Sequence, residues 1–217
     1  MRYRLGVFGG MFDPVHEGHY KAALFALDEL SLDKLKLVPC HVPNHRQVAI
    51  ASPEQRVRML GLATQWQSKL EVDTIELDRT GVSYMVETLT QLADSHSDAS
   101  IVLVLGLDSF NSLPSWHRFS DMSEKCHLLV LSRPGASIDE MTETLVRQYW
   151  SHKESAEELF AAQSGNFLLA KNIDFDLSST AVRKAINKGQ ALAGLLAPNV
   201  ADYIASEKLY GNPPSFK

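Results

Sequence analysis

Residues 101–105, Ile-Val-Leu-Val-Leu, form an unbroken β-prone apolar run that ends on Gly106, and residues 128–131 repeat the pattern shortly before Pro134-Gly135. A strand that is apolar at every position is buried on both faces. That is the situation of a strand inside a parallel sheet covered by helices. The rest of the chain alternates to match. Residues 3–8 read as a strand stopped by Gly9-Gly10, and 35–38 as another closed by Pro39. Between them Tyr20, Leu24 and Leu27 recur at helical spacing within 16–30. Ser52-Pro53-Glu54-Gln55 reads as a helix opening, with a capping serine, a proline at the first helical position and a glutamine closing a capping box. Further strands are predicted over 70–75 and 167–170. Helices are predicted over 83–93, 179–188 and 198–207, and 136–165 reads as polar and helical. The stretch 39–51 reads as a loop. The prediction is an α/β chain with a doubly wound, mainly parallel sheet. Residues 1–217 are expected to form one domain with a small helical part at about 178–210.

In such sheets ligands sit beyond the carboxyl ends of the strands, which selects the loops after Phe8, Val38, Leu105 and Leu131. The first of these reads Gly9-Gly10-Met11-Phe12-Asp13-Pro14-Val15-His16-Glu17-Gly18-His19. It is neither GxGxxG nor a P-loop. It still has what an anion needs: glycines that admit a close approach to backbone N–H groups, then a helix N-terminus. His16 and His19 share one face of that first turn. Two imidazoles so placed could ligate a metal, or could donate to a phosphate whose charge grows during a reaction. The Gly-Gly turn favours phosphate. Asp13, before Pro14, reads as a turn-shaping residue. Cys40, His41 and His45 are too loosely spaced for a metal site.

Composition narrows the partners. With 21 Lys plus Arg against 26 Asp plus Glu, the chain carries −5, which argues against a nucleic-acid partner. A small phosphorylated ligand needs only a few local donors. The two cysteines, Cys40 and Cys126, form no CxxC and no disulfide framework. The N-terminal apolar stretch is too short for a signal peptide, and no run approaches the roughly 20 residues that span a bilayer. A cytoplasmic protein without a membrane partner is expected. The sequence leaves the oligomeric state open.

The Gly9–His19 turn resembles the (G)xFDPxHxGH signature of the nucleotidyltransferase α/β-phosphodiesterase superfamily. Leu177-Ser178-Ser179-Thr180-Ala181-Val182-Arg183 resembles its second signature, ISSTxxR, with Leu for Ile. Between them, Pro43-Asn44-His45-Arg46 resembles P-x-H-[KR], Ser83-Tyr84-Met85-Val86-Glu87-Thr88-Leu89 resembles S-Y-T-x-[DE]-T-L, and Gly106-Leu107-Asp108-Ser109, Trp116 and Ser132-Arg133-Pro134-Gly135 resemble GxDxxxxxxxW…RPG. The full set is similar to the bacterial nicotinate-nucleotide adenylyltransferase family. Met11 and Met85 depart from it, standing where Ser or Thr, and Thr, are usual.

The resemblance implies a Rossmann-like nucleotidyltransferase fold. It implies AMP transfer from ATP to nicotinate mononucleotide, giving deamido-NAD and pyrophosphate, with Mg2+ held mostly by phosphates and water. By the same resemblance His16, His19, Arg46 and Arg183 are catalytic. Gly9, Gly10, Phe12, Gly106, Asp108, Arg133, Ser179 and Thr180 join His16, His19 and Arg183 around ATP. Phe12, Arg46, Tyr84, Met85, Trp116 and His117 would hold nicotinate mononucleotide, with Trp116 stacked on the ring. Plainer readings stand beside these: Trp116 as core, and Arg133 paired with a surface acid. Alternatives for the whole chain are transfer to nicotinamide mononucleotide, phosphopantetheine or another phosphorylated acceptor, or a non-catalytic nucleotide-binding regulator.

Overall fold

The computed structural model describes residues 2–43, 48–133, 135–171, 173 and 177–211. Its strands are β1 (Tyr3–Gly10), β2 (Lys34–Pro39), β3 (Leu70–Val72), β4 (Ala99–Gly106), β5 (His127–Leu131), β6 (Ser151–Lys153) and β7 (Asn166–Ala170). They form one sheet in the order β3-β2-β1-β4-β5-β7-β6, and every pairing is parallel. The helices are α1 (Glu17–Glu29), α2 (Pro53–Thr64), α3 (Met85–Ser95), α4 (Leu107–Ser112), α5 (Glu140–Val146), α6 (Ala156–Leu159), α7 (Ser179–Asn187) and α8 (Pro198–Ser206). Among the described residues no helix is long and apolar enough to cross a membrane.

The apolar run of β4 serves two cores. Val102 and Val104 pack on one face with Ala23, Ala26 and Leu27 of α1. Ile101, Leu103 and Leu105 pack on the other with Val86, Leu89 and Leu92 of α3. β5 divides in the same way, Leu129 and Leu131 against Leu128 and Val130. Successive side chains of a strand point to opposite faces, so an unbroken apolar run is what two covered faces demand.

Local chemistry sets the helix limits. Ser52 Oγ accepts from the Gln55 N–H at 3.3 Å, and Gln55 Oε1 accepts from the Ser52 N–H at 2.9 Å. This is the capping box expected from the sequence. Gly189, at φ +62°, stops α7.

The sequence expectations differ from the structure in three places. β3 ends at Val72, because Asp73 Oδ1 accepts from the Ile75 N–H and the Thr74 carbonyl from those of Leu77 and Asp78, which turns the chain. Residues 136–165 are not simply helical: they hold short α5 and α6 around β6. The polar Ser-His-Lys of β6 pairs only with β7 at the sheet margin, so it lacks the apolar pattern that betrays a buried strand. α4 follows β4 directly and was not expected.

β1 and β4 are neighbours, yet the chain leaves them in opposite directions, β1 towards β2 and β4 towards β5. Their carboxyl ends, Gly9-Gly10 and Gly106, therefore border the crevice at the switch point.

Candidate active site

The turn from β1 into α1 is held from four directions. Arg56 of α2, 1% exposed, donates from Nη1 to the Met11 carbonyl at 2.9 Å. Arg183 Nη1 donates to the Asp13 carbonyl at 2.6 Å, and Ser179 Oγ donates to the Pro14 carbonyl at 3.0 Å. The buried Asp13 carboxylate accepts from the N–H groups of Ile50 and Ala51 at 2.8 and 3.0 Å, and from the Tyr210 hydroxyl at 2.7 Å. The Asp13 carboxylate thus ties distant segments to the turn, rather than bonding the backbone of the turn itself. Burial and the Asp13 hydrogen bond together push the Tyr210 phenol well up. Phe12 lies in the left-handed region at φ +48°, unusual for a side chain of that size, and is fully packed.

His16 is the N-cap of α1 and His19 its N3 residue. The His16 N–H donates to His19 Nδ1 at 3.3 Å, and the His19 N–H donates to His16 Nδ1 at 3.4 Å. The rings stack with centroids 3.7 Å apart. This reciprocal cap has a chemical consequence. Each Nδ1 is an acceptor, so each neutral ring carries its proton on Nε2. Burial, and then the Arg133 cation, lower His16 to about 4. Burial and the neighbouring His16 hold His19 well below the ordinary histidine value. The pair is therefore neutral near pH 7 and offers two Nε2–H donors. Among the first N–H groups of α1, that of Glu17 goes to the Leu195 carbonyl and that of His19 to His16, which leaves Gly18 facing the cavity.

Gly18 also explains how the two motifs meet. A Cβ there would lie 3.1 Å from His16 Nδ1 and 3.3 Å from Leu177 Cβ. A side chain at this position would press His16 and Leu177 apart, so glycine suits the close approach of α1 to the segment that opens α7. Ser178 caps α7, its Oγ accepting from the Ala181 N–H at 3.2 Å. Arg183 Nη2 donates to Thr180 Oγ1 at 3.2 Å. With one Nη1 hydrogen on Asp13, the guanidinium keeps three N–H groups for a ligand.

These elements surround a cavity of about 590 Å³. It is lined by Gly9, Gly10, Phe12, His16 and His19 from the first opening, by Gly106 and Asp108 after β4, by Arg133 after β5, and by Ser179, Thr180 and Arg183 from α7. A second cavity of about 400 Å³ holds Tyr84, Met85, Trp116 and His117. Phe8, Gly9, Gly10, Met11, Gly106 and Ser109 line both. The carboxyl ends of β1 and β4 are thus a shared wall. Phe12 lines only the larger cavity. Arg46 lies outside the described residues. Trp116 is half-buried, packed on the second core and turned to the cavity, with Nε1 donating to Ser112 Oγ at 3.3 Å. Arg133 is exposed at the mouth of the larger cavity. Arg56, Tyr210 and Glu76 are site residues the sequence reading missed. Each acts through a contact distant in sequence, and no local motif marks it.

Among the described residues no three His, Cys, Asp or Glu side chains cluster to hold a metal ion. Asp13 is spent on backbone and phenol donors, and Asp108 stands exposed at the start of α4. The donor set therefore does not fit a protein-held metal.

A cavity pair at a switch point, with two helix openings on one side, defines a nucleotidyltransferase arrangement, and the cytidylyltransferase-like family model matches residues 7–185. Two relatives carry the name probable nicotinate-nucleotide adenylyltransferase. The Methylococcus capsulatus protein is 37% identical over 208 residues, covering 95% of this chain and 99% of its own. That of Cellvibrio japonicus is 38% identical over 213 residues, covering 97% and 100%. Plasmodium falciparum nicotinic acid mononucleotide adenylyltransferase, solved in complex with APC, superposes with a TM-score of 0.73 at 17% identity, covering 96% of this chain and 97% of that one, which is a likeness of fold. The chain belongs to the nicotinate-nucleotide adenylyltransferase family within the cytidylyltransferase-like proteins.

Proposed function

We propose that this protein transfers AMP from ATP to nicotinate mononucleotide, forming deamido-NAD and pyrophosphate. ATP occupies the larger cavity and the mononucleotide the smaller. A phosphate oxygen of the mononucleotide attacks the α-phosphorus across the shared Gly10–Gly106 wall. The new P–O bond forms as the bond from the α-phosphorus to the bridging oxygen of the β-phosphate breaks, and pyrophosphate departs towards α7. The attacking phosphate is already an anion, so no general base is needed, and the work is positioning and charge stabilisation. The Nε2–H groups of His16 and His19 donate to the phosphate oxygens as charge develops. The Gly18 and Ser179 N–H groups, the Thr180 hydroxyl and the uncommitted N–H groups of Arg183 hold the triphosphate. Arg133 adds positive charge at the mouth of the larger cavity, and Arg46 is assigned to the phosphates on its motif alone. Mg2+ enters as the counter-ion of the triphosphate, bound by its oxygens and water, and thus as part of the substrate.

In the smaller cavity Trp116 stacks on the pyridine ring beside Tyr84. The first-turn N–H groups of α3, around Met85, and that of His117 meet the ring carboxylate. An amide lacks that charge, so the acid is preferred. Residues 1–217 act as one nucleotidyltransferase domain, in the cytoplasm where ATP is abundant.

The observation that carries this reading is the common wall. The imidazole pair lies on one side of it and the aromatic cavity on the other. Pyrophosphate release is the test, measured with ATP and a panel of nicotinate mononucleotide, nicotinamide mononucleotide and phosphopantetheine. Fastest turnover with nicotinate mononucleotide is expected. Turnover with another acceptor alone overturns the substrate, and none with any acceptor favours a regulator.

A further inference from the structure

Glu76 is a carboxyl group that the chemistry above does not use. It is 3% exposed, yet it lies in the wall of the smaller cavity. Thr88 Oγ1 donates to Glu76 Oε1 at 2.9 Å, and the same hydroxyl accepts from Arg79 Nη2 at 2.7 Å. Ser83 and Cys40 line the same cavity wall as Glu76. Burial raises its pKa, and Thr88, Ser83, Arg79 and Cys40 oppose the rise.

Three stretches of chain meet at Glu76. Thr88 belongs to α3. Ser83 immediately precedes Tyr84, the N-cap of α3. Cys40 follows β2. The same stretches are stitched around the carboxylate: the His41 N–H donates to Ser83 Oγ at 3.1 Å, and the Ser83 N–H donates to the Val42 carbonyl at 2.9 Å. His41 Nδ1 lies 3.0 Å from the Arg79 carbonyl.

A buried carboxylate is costly, and placing one beside a cavity meant for an anion is costlier. The geometry offers a reason. A carboxylate accepts only, so it draws the Thr88 hydroxyl proton to itself and fixes that side chain between Glu76 and Arg79. Tyr84 makes no side-chain cap to α3; the Glu87 N–H turns back to the Tyr84 carbonyl, and those of Met85 and Val86 open the helix beside the cavity. We propose that Glu76 is a positioning residue for the acceptor: through the Thr88 hydroxyl, which Arg79 also holds, it fixes the opening of α3 against the smaller cavity, at the place where the acceptor's anionic group is bound. This deepens the proposed function and rests on its assignment of that cavity.

Steady-state kinetics of Glu76→Gln test it. A neutral amide accepts more weakly and turns one oxygen into a donor, so the Thr88 hydroxyl loses the fixed acceptor that orients it. The Michaelis constant for nicotinate mononucleotide is expected to rise about tenfold, while that for ATP stays within about twofold. A purely structural role would lower the melting temperature and leave both constants in place. That result, or an equal rise in both, overturns the proposal. If Glu76→Gln does not fold, Thr88→Val removes the hydroxyl that joins Glu76 to α3 and is expected to give the same split in smaller measure. An unsplit result there overturns the proposal too. Wild-type protein that does not use nicotinate mononucleotide defeats both the function and this inference. Active wild type with an unaltered Glu76→Gln defeats the inference alone.

Discussion

His16 and His19 cap each other: each backbone N–H is accepted by the other ring's Nδ1, at 3.3 and 3.4 Å, and both Nε2–H groups are left pointing away from α1. One arrangement thus starts the helix and sets the tautomer of both donors. The two roles of His19 can be separated. Asparagine places its Oδ1 near Nδ1, whereas glutamine places its Nε2 near the imidazole Nε2. His19→Asn is expected to keep the cap and lose turnover by about 10²-fold or more. His19→Gln should lose about 1 kcal/mol of stability yet remain the more active of the two. Turnover numbers and melting curves of both variants check this, and equal turnover would contradict the donor role.

Gly18→Ala should be destabilising although alanine is the better helix former. Its Cβ would meet His16 and Leu177 at 3.1 to 3.3 Å, and both belong to packed elements. A loss of about 1–3 kcal/mol is expected from overpacking, together with a raised Michaelis constant for ATP as α7 is pushed from α1. Urea unfolding and ATP kinetics measure the two effects. A stabilised variant would mean that the segments are not in contact.

Gly9→Ala has a different remedy. Its Cβ would come 2.5 Å from Met85 Cε, the mobile end of a long side chain. Met85 would have to move within the smaller cavity, so acceptor affinity should fall. Met85→Ala removes the obstacle, and the double variant should recover most of the loss, with a coupling of about 1–2 kcal/mol. Strict additivity of the two substitutions would rule the contact out.

Acid should unfold the protein through its histidines. His16 and His127 are lowered to about 4, both chiefly by burial, and His19 is lowered also. A histidine with a depressed folded value favours folding while it is neutral. The unfolded chain takes up its proton as pH falls below about 6.5, so stability is lost between about 6.5 and 4, at up to about 1.4 kcal/mol per pH unit for each group. His127 lies away from the active site, fully buried, with Nδ1 accepting from the Asn166 N–H at 3.3 Å. In His127→Asn, proton uptake on unfolding near pH 5 should fall by about one. Unchanged uptake would show that His127 is already charged when folded.

Much of this molecule is legible along the chain. The two-faced burial of β4 follows from 101–105 alone, and the Ser52 capping box from four residues, because both are local rules. The two phosphate motifs are also local, each a strand end or helix opening with its own donors. What could not be read is contact across the chain. Tyr210 and Asp13, 197 residues apart, form one hydrogen bond, and nothing near either predicts the other. The same holds for Arg56 on Met11 and for Glu76 under α3. β6 was missed for another reason: a polar strand at a sheet margin obeys no burial pattern.

The central claim is that two helix openings grip one triphosphate, α1 near the reacting phosphorus and α7 on the departing end. Equilibrium affinities for ATP and for AMP, in wild type and in Arg183→Ala, test it most directly. Weakening of ATP by about tenfold or more, with AMP within about threefold, is the result predicted for a lost phosphate contact. Equal weakening of both nucleotides would mean that Arg183 acts only through the Asp13 turn, and with it, as with no weakening at all, the claim would fail.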